Sequence, residues 1–123
     1  AHSESNEGMK DLQQNEFEPV LLRLTESWLD SEKVTSVMAC GMVGARQGWV
    51  ETPDLKTPCV PIDKTQLTVA STKDPRIQVN LVPGVMQHKP ADIMRGEETQ
   101  IAGFSKENPS FDGIVCLPGT HTK

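Results

Sequence analysis

Apolar residues recur with a helical period early in the chain. Phe17, Val20, Leu21, Leu24 and Trp28 fall at i, i+3, i+4, i+7 and i+11, one apolar stripe that predicts a helix over 15–30. Asn15, with Glu18 three residues on, reads as a capping box. Pro19 is tolerated in the first turn, where amides have no intrahelical partner. Val34 to Cys40 leans towards β and predicts a short strand ending at Gly41, with Gly44 and Gly48 following. Residues 51–64 carry Pro53, Pro58 and Pro61 and predict no single regular element, whereas Gln66 to Ser71 reads as a short strand. From Ile77 to Val82 the pattern alternates, with Ile77, Val79 and Leu81 on one face, and Pro83-Gly84 ends it.

Residues 85–91 are expected to be loop, and Asp92 to Phe104 a helix opened by an acidic residue, with Ile93, Met94, Ile101 and Phe104 on its buried side. A glycine inside that helix, Gly96, would cost about 1 kcal/mol against alanine, which hints at a close approach. Asn108-Pro109 breaks the helix and Phe111-Asp112-Gly113 turns. Ile114 to Leu117 predicts a short buried strand before a Pro-Gly-Thr loop. The order helix, strand, excursion, strand, helix, strand predicts an α/β fold with part of a mixed sheet flanked by helices.

Composition narrows the function. A net charge of −5 with scattered Lys and Arg, and 4% aromatics without tyrosine, disfavours nucleic-acid binding. No apolar run approaches the roughly 18 residues of a membrane span, and no signal peptide is visible, so the expected location is the cytoplasm. Cys40, Cys59 and Cys116 are odd in number and far apart, and are expected to be buried free thiols. They form no zinc-type pair, and His2, His88 and His121 share no ligand spacing, so no protein metal site is expected.

Three segments have the residues for ligand chemistry. In Cys40 to Trp49 the glycines admit close backbone approach, Arg46 offers a fork for a carboxylate, Gln47 can bond hydroxyls and Trp49 can wall a sugar-like ring. A turn with a surface arginine and a packed tryptophan explains the same residues. In Asp92 to Gln100 a carboxylate beside Arg95 suits proton removal from a hydroxyl or Mg²⁺ binding, while a solvated acidic turn is the plain alternative. In Leu117 to Lys123 a small hydroxyl-bearing glycine loop can cradle phosphate, although it lacks the spacing of a Walker A loop.

Taken in order with Val82-Pro83-Gly84, these segments resemble the 2-dehydro-3-deoxygalactonokinases. Met94-Arg95-Gly96-Glu97-Glu98-Thr99-Gln100 and Pro118-Gly119-Thr120-His121-Thr122-Lys123 are long matches, and the resemblance covers nearly the whole chain. It implies an ATP-dependent kinase of the actin and hexokinase superfamily, with two ribonuclease-H-like lobes, that phosphorylates the 6-hydroxyl of 2-dehydro-3-deoxy-D-galactonate in galactonate breakdown. The family's opening Asp-Trp-Gly-Thr segment and most of a second lobe have no counterpart here. The chain is therefore expected to be an internal fragment, inactive alone, with residues 1–112 forming most of the first lobe and 113–123 opening the second. The resemblance makes Glu97, then Glu98 and Asp92, the candidate base, with Gly41, Met42, Gly44, Arg46, Gln47, Trp49 and Arg95 around the acceptor. Gly119, Thr120, His121 and Thr122 would hold nucleotide phosphates, and Mg²⁺ would arrive with ATP. The rival expectation is a non-enzymatic α/β module that binds a carboxylated sugar through Arg46.

Overall fold

The computed structural model describes residues 1–123. The predicted helix is present as α1, Phe17–Thr25, with a 3-10 turn before it at Gln14–Glu16 and another after it at Glu26–Trp28. The entry differs from the expected capping box. The Gln13 amide donates to the Glu16 carboxylate at 2.7 Å, two residues upstream of the predicted pair. Glu18 instead reaches across the molecule and accepts from the amides of Lys73 and Asp74 at 2.7 and 2.8 Å. The apolar stripe also ends early, because the chain leaves the α-helix after Thr25 and Trp28 turns outward.

Two three-stranded sheets follow. The first holds β1 (Thr35–Ala39), β3 (Thr68–Val69) and β4 (Ile77–Leu81) in the order β1-β4-β3. β1 runs parallel to β4 with Val37 opposite Val79, and β3 runs antiparallel to β4 with Thr68 opposite Leu81. The alternation in Ile77 to Leu81 decides which face is covered. Ile77, Val79 and Leu81 are buried, and with Phe17, Trp49 and Ala70 they make the core that α1 closes. Trp49 stacks on Phe17 at 6.0 Å between centroids. On the opposite face, Asn80 bonds Ser36 across the strands at 3.3 Å and Met38 faces solvent.

The second sheet contains β2 (Leu55–Lys56), β5 (Val85–His88) and β6 (Ala91–Met94) in the order β2-β5-β6. It corrects the expected loop at 85–91, which is the first arm and turn of a β5–β6 hairpin, with Val85 opposite Met94 and His88 opposite Ala91. It also shortens the second helix. Asp92, Ile93 and Met94 lie on β6, and α2 spans Glu97–Glu107. Gly96 is therefore no interior glycine. It is the residue before the helix, at φ +110°, a conformation that only glycine adopts without strain. Asn108 ends α2 as expected, and Phe104 packs edge-on to Phe111 at 5.0 Å.

The run Leu81 to Val85 is buried throughout and carries the chain from one sheet to the other. The Val82 amide still bonds the Ala39 carbonyl of β1, and the Gly84 carbonyl already accepts from Leu55 of β2. Two further expectations fail. Ile114 to Leu117 forms no strand, because no neighbouring strand pairs with it, and Ile114 is almost fully exposed. All three cysteines are free, as expected, but exposed rather than buried. Cys40 lies just past β1, and Cys59 and Cys116 are in irregular segments that no layer covers.

An ion cluster pins α1's exit to the turn before β4. Arg76 bonds both Asp74 and Glu26 at 2.8 Å. These bonds hold both carboxyls below their ordinary values of 3.8 and 4.5. A lowered folded pKa gives stability that is complete above the ordinary value and disappears as pH falls through the lowered one. Thermal unfolding should therefore show a loss of stability below pH 4.5 that Arg76→Met diminishes. In the core, Leu81→Ala should cost about 2–5 kcal/mol by urea unfolding, because its side chain is fully buried. Met38→Ser on the open face should change stability by about 0.5 kcal/mol or less.

Candidate functional site

The three chemistry-bearing segments meet at one cleft. Its lining comes from Met42 and Ala45 after β1, from Ile93, Arg95, Glu97 and Gln100 around the start of α2, and from Leu117 to His121 with Lys123. The cleft measures about 540 Å³, the scale of a small-molecule site.

Local backbone geometry brings these segments together. β1 ends at Ala39, and after Cys40 Gly41 at φ +89° turns the chain into a 3-10 turn over Met42–Gly44. Gly41 sits against Gly96, and a Cβ on Gly96 would meet the Gly41 Cα at 3.5 Å. The loop after β1 and the entry to α2 therefore approach backbone to backbone. Gly44 lies beneath Thr52 and Arg95, where a Cβ would stand 2.9 Å from the Thr52 hydroxyl.

Arg95 holds this junction. One terminal nitrogen donates to the Gly44 carbonyl at 2.7 Å and to the Thr52 hydroxyl at 2.9 Å. The other lies 2.7 Å from Asp54 Oδ1. That contact is close in distance but poor in angle, so Oδ1 has no aligned donor and depends on Arg95 for charge compensation. The Thr52 hydroxyl and amide also donate to the Gly44 carbonyl.

The acids separate by environment. Glu97 lines the cleft, half-buried, and accepts from the Arg95 amide at 3.0 Å. Glu98 is fully buried behind it and accepts from the Gly96 amide and the Thr99 hydroxyl, so it stitches the helix entry together. Asp92 is exposed on β6 and pairs with Lys123. That pairing, helped by the Ile93 amide, lowers its pKa and weakens it as a proton acceptor. The helix expected to present Asp92 in its first turn starts five residues later, so Asp92 does not join Glu97 at the cleft.

On the acceptor side, Met42 reaches the cleft and Gly41 and Gly44 shape it from behind. Arg46 and Gln47 are exposed beyond the lining, without intramolecular side-chain bonds. Trp49 is not at the cleft. Its ring is buried on Phe17, as the packed-tryptophan alternative holds. Opposite Glu97, Leu117 and Lys123 exchange two backbone hydrogen bonds and close the 118–122 loop. Gly119, Thr120 and His121 face the cleft, and Thr122 lines a smaller neighbouring pocket beside β5 and β6. The amides of Gly119, Thr120 and His121 have no partner within the chain. No three His, Cys, Asp or Glu side chains cluster as a metal site.

Gln100, Thr52 and Asp54 belong to this region as well. Gln100 follows Glu97 by three residues on one helix face, a spacing visible in the sequence. Thr52 and Asp54 lie in the proline-rich excursion, where nothing local marks them.

The 2-keto-3-deoxy-galactonokinase family matches residues 1–123. A "Probable 2-dehydro-3-deoxygalactonokinase" of Rhizobium meliloti (strain 1021) is 36% identical over 91 residues, 71% of this chain and 29% of that protein. The 2-dehydro-3-deoxygalactonokinase of Escherichia coli (strain K12) is 36% identical over 107 residues, 85% of this chain and 34% of its own length. A crystal structure of "a putative 2-dehydro-3-deoxygalactonokinase protein" from Sinorhizobium meliloti superposes with a TM-score of 0.78 at 32% identity over 96% of this chain and 38% of that one. The chain thus spans about a third of the length of these relatives. With the family matched from end to end and a like backbone at 32% identity, the chain belongs to the 2-keto-3-deoxy-galactonokinase family.

Proposed function

We propose that this chain serves as the acceptor-side part of a family-length kinase that phosphorylates the 6-hydroxyl of 2-dehydro-3-deoxy-D-galactonate. The observation that carries this reading is the meeting of Met42, Glu97 and the 118–121 loop at one cleft. Residues 1–112 would then belong to a ribonuclease-H-like lobe, and 113–123 would lead into the second. The unpaired Ile114 to Leu117 run fits a strand whose neighbours lie in the other two-thirds of the family length.

Phosphoryl transfer depends on positioning and on charge neutralisation rather than on covalent help from the protein. Glu97 is the base in this reading. It borders the cleft, stays accessible, and is aimed by the Arg95 amide. Its carboxylate takes the proton as the acceptor oxygen bonds to the γ-phosphorus and the bond from that phosphorus to the departing ADP breaks. Glu98 is unsuited to that work because it is sealed from the cleft.

The donor set fits the phosphate end of ATP. The free amides of Gly119, Thr120 and His121 would hold phosphate oxygens, as such loops do. No aromatic wall for a base lines the cleft. ATP when bound would supply the phosphoryl group and Mg²⁺ would neutralise its charge; the lining offers no carboxylate besides Glu97, so within this chain nothing but the base could hold the ion. Arg46, exposed and unengaged next to the lining residue Ala45, would meet the acceptor's carboxylate from solvent.

In the family-length kinase containing this sequence, Glu97→Gln should lower kcat by about 10²–10⁴ while ATP still binds. Turnover near wild type would remove Glu97 from the base role. Arg46→Ala should raise KM for the sugar acid by about tenfold with kcat little changed. An unchanged KM would remove Arg46 from acceptor binding.

A further inference from the structure

Arg95 borders the cleft and carries the right charge for an anionic substrate, yet its guanidinium is already engaged. It bonds the Gly44 carbonyl, the Thr52 hydroxyl and, at 3.4 Å, the Thr52 carbonyl, and it lies against Asp54. Its side chain is only 12% exposed. Turning this fork towards a ligand would leave Asp54 Oδ1 buried with no compensating charge. Packing holds the pair in place as well. At Gly84 a Cβ would stand 2.6 Å from Asp54 Oδ1 and 2.8 Å from Arg95 Cγ, so only a glycine leaves room for both side chains.

The same residue contacts Glu97 through its backbone. The Arg95 amide donates to the Glu97 carboxylate, and the next residue, Gly96, turns the chain into α2. Whatever holds the Arg95 side chain therefore sets where the Glu97 carboxylate points.

We propose that Asp54, Thr52 and Arg95 form a positioning unit for Glu97, and that Arg95 does not bind the substrate. Asp54 and Thr52 hold the guanidinium, the guanidinium ties the loop after β1 to the end of β6, and the Arg95 amide aims the carboxylate. The substrate's carboxylate is met by another group. This inference rests on Glu97 being the base proposed above.

The test uses Asp54→Asn and Thr52→Val in the family-length kinase, read by kcat, by KM for the sugar acid and by hydrogen exchange at the Arg95 amide. Each variant should lower kcat by about tenfold or more, keep KM within about threefold, and speed exchange at that amide by about tenfold. A KM raised about tenfold with kcat retained would mean that the guanidinium holds the substrate, and would overturn the proposal. Thr52→Val leaves no charge unpaired and decides the matter even if Asp54→Asn does not fold. Unchanged kcat and unchanged exchange in Thr52→Val would overturn the proposal. If the kinase acts on some other acceptor, or Glu97 is not its base, the reading above fails by itself. Exchange at the Arg95 amide then decides alone, faster exchange supporting the positioning unit and unchanged exchange refuting it.

Discussion

The part-buried guanidinium of Arg95 is the interaction on which the rest of the cleft depends. Three separate stretches end at it: the loop after β1 through Gly44, the proline-rich excursion through Thr52 and Asp54, and β6 through its own backbone. A charged group so little exposed is tolerated only when paired and bonded, and each contact here supplies part of that compensation. The ring of contacts also explains why small residues surround it. Gly44 and Gly84 leave room for the side chains, and Gly41 and Gly96 let the two backbones touch. A side chain at Gly44 or Gly84 would press on Thr52, Asp54 or Arg95, and one at Gly41 or Gly96 would be strained by the positive φ.

The two sheets play unequal parts. The first, closed by α1 over Phe17, Trp49, Val79 and Leu81, supplies the stability. The second is small, and its last strand leads through Arg95 into the side of the cleft that presents Glu97. The buried run Leu81 to Val85 links them. Within the site, environment assigns different work to three neighbouring acids. Glu98 is locked into the helix entry, Asp92 is bound to Lys123, and Glu97 alone faces the cleft.

How much of this was legible depended on how local each cause was. The stripe from Phe17 to Leu24 and the alternation from Ile77 to Leu81 are short-range patterns, and both were readable. The β5–β6 hairpin was hidden because Lys89-Pro90 is not a typical two-residue hairpin turn, and because Asp92 before two apolar residues mimics a helix start. Trp49 was ambiguous by itself, since a ring suits a core as well as a sugar. Cys40, Cys59 and Cys116 misled because cysteine usually sits inside, and Glu98 because a charged residue rarely does. The role of Arg95 was beyond any local pattern, because its partners lie 43 and 51 residues away. The convergence of the three motifs was suggested by their resemblance to one family, and the cleft accounts for it physically.

The central claim is that the three segments form one acceptor and phosphate cleft around Glu97. The most direct measurement is a titration of the isotopically labelled chain with 2-dehydro-3-deoxy-D-galactonate, followed by backbone amide NMR. The account predicts that shifts concentrate at Met42, Ala45, Arg46, Glu97 and Gln100, and that those of Gly119 to His121 follow only when ATP is added. Shifts centred instead on the separate polar groove of Asn15, Glu18, Lys73 and Asp74, or spread evenly over the surface, would contradict it.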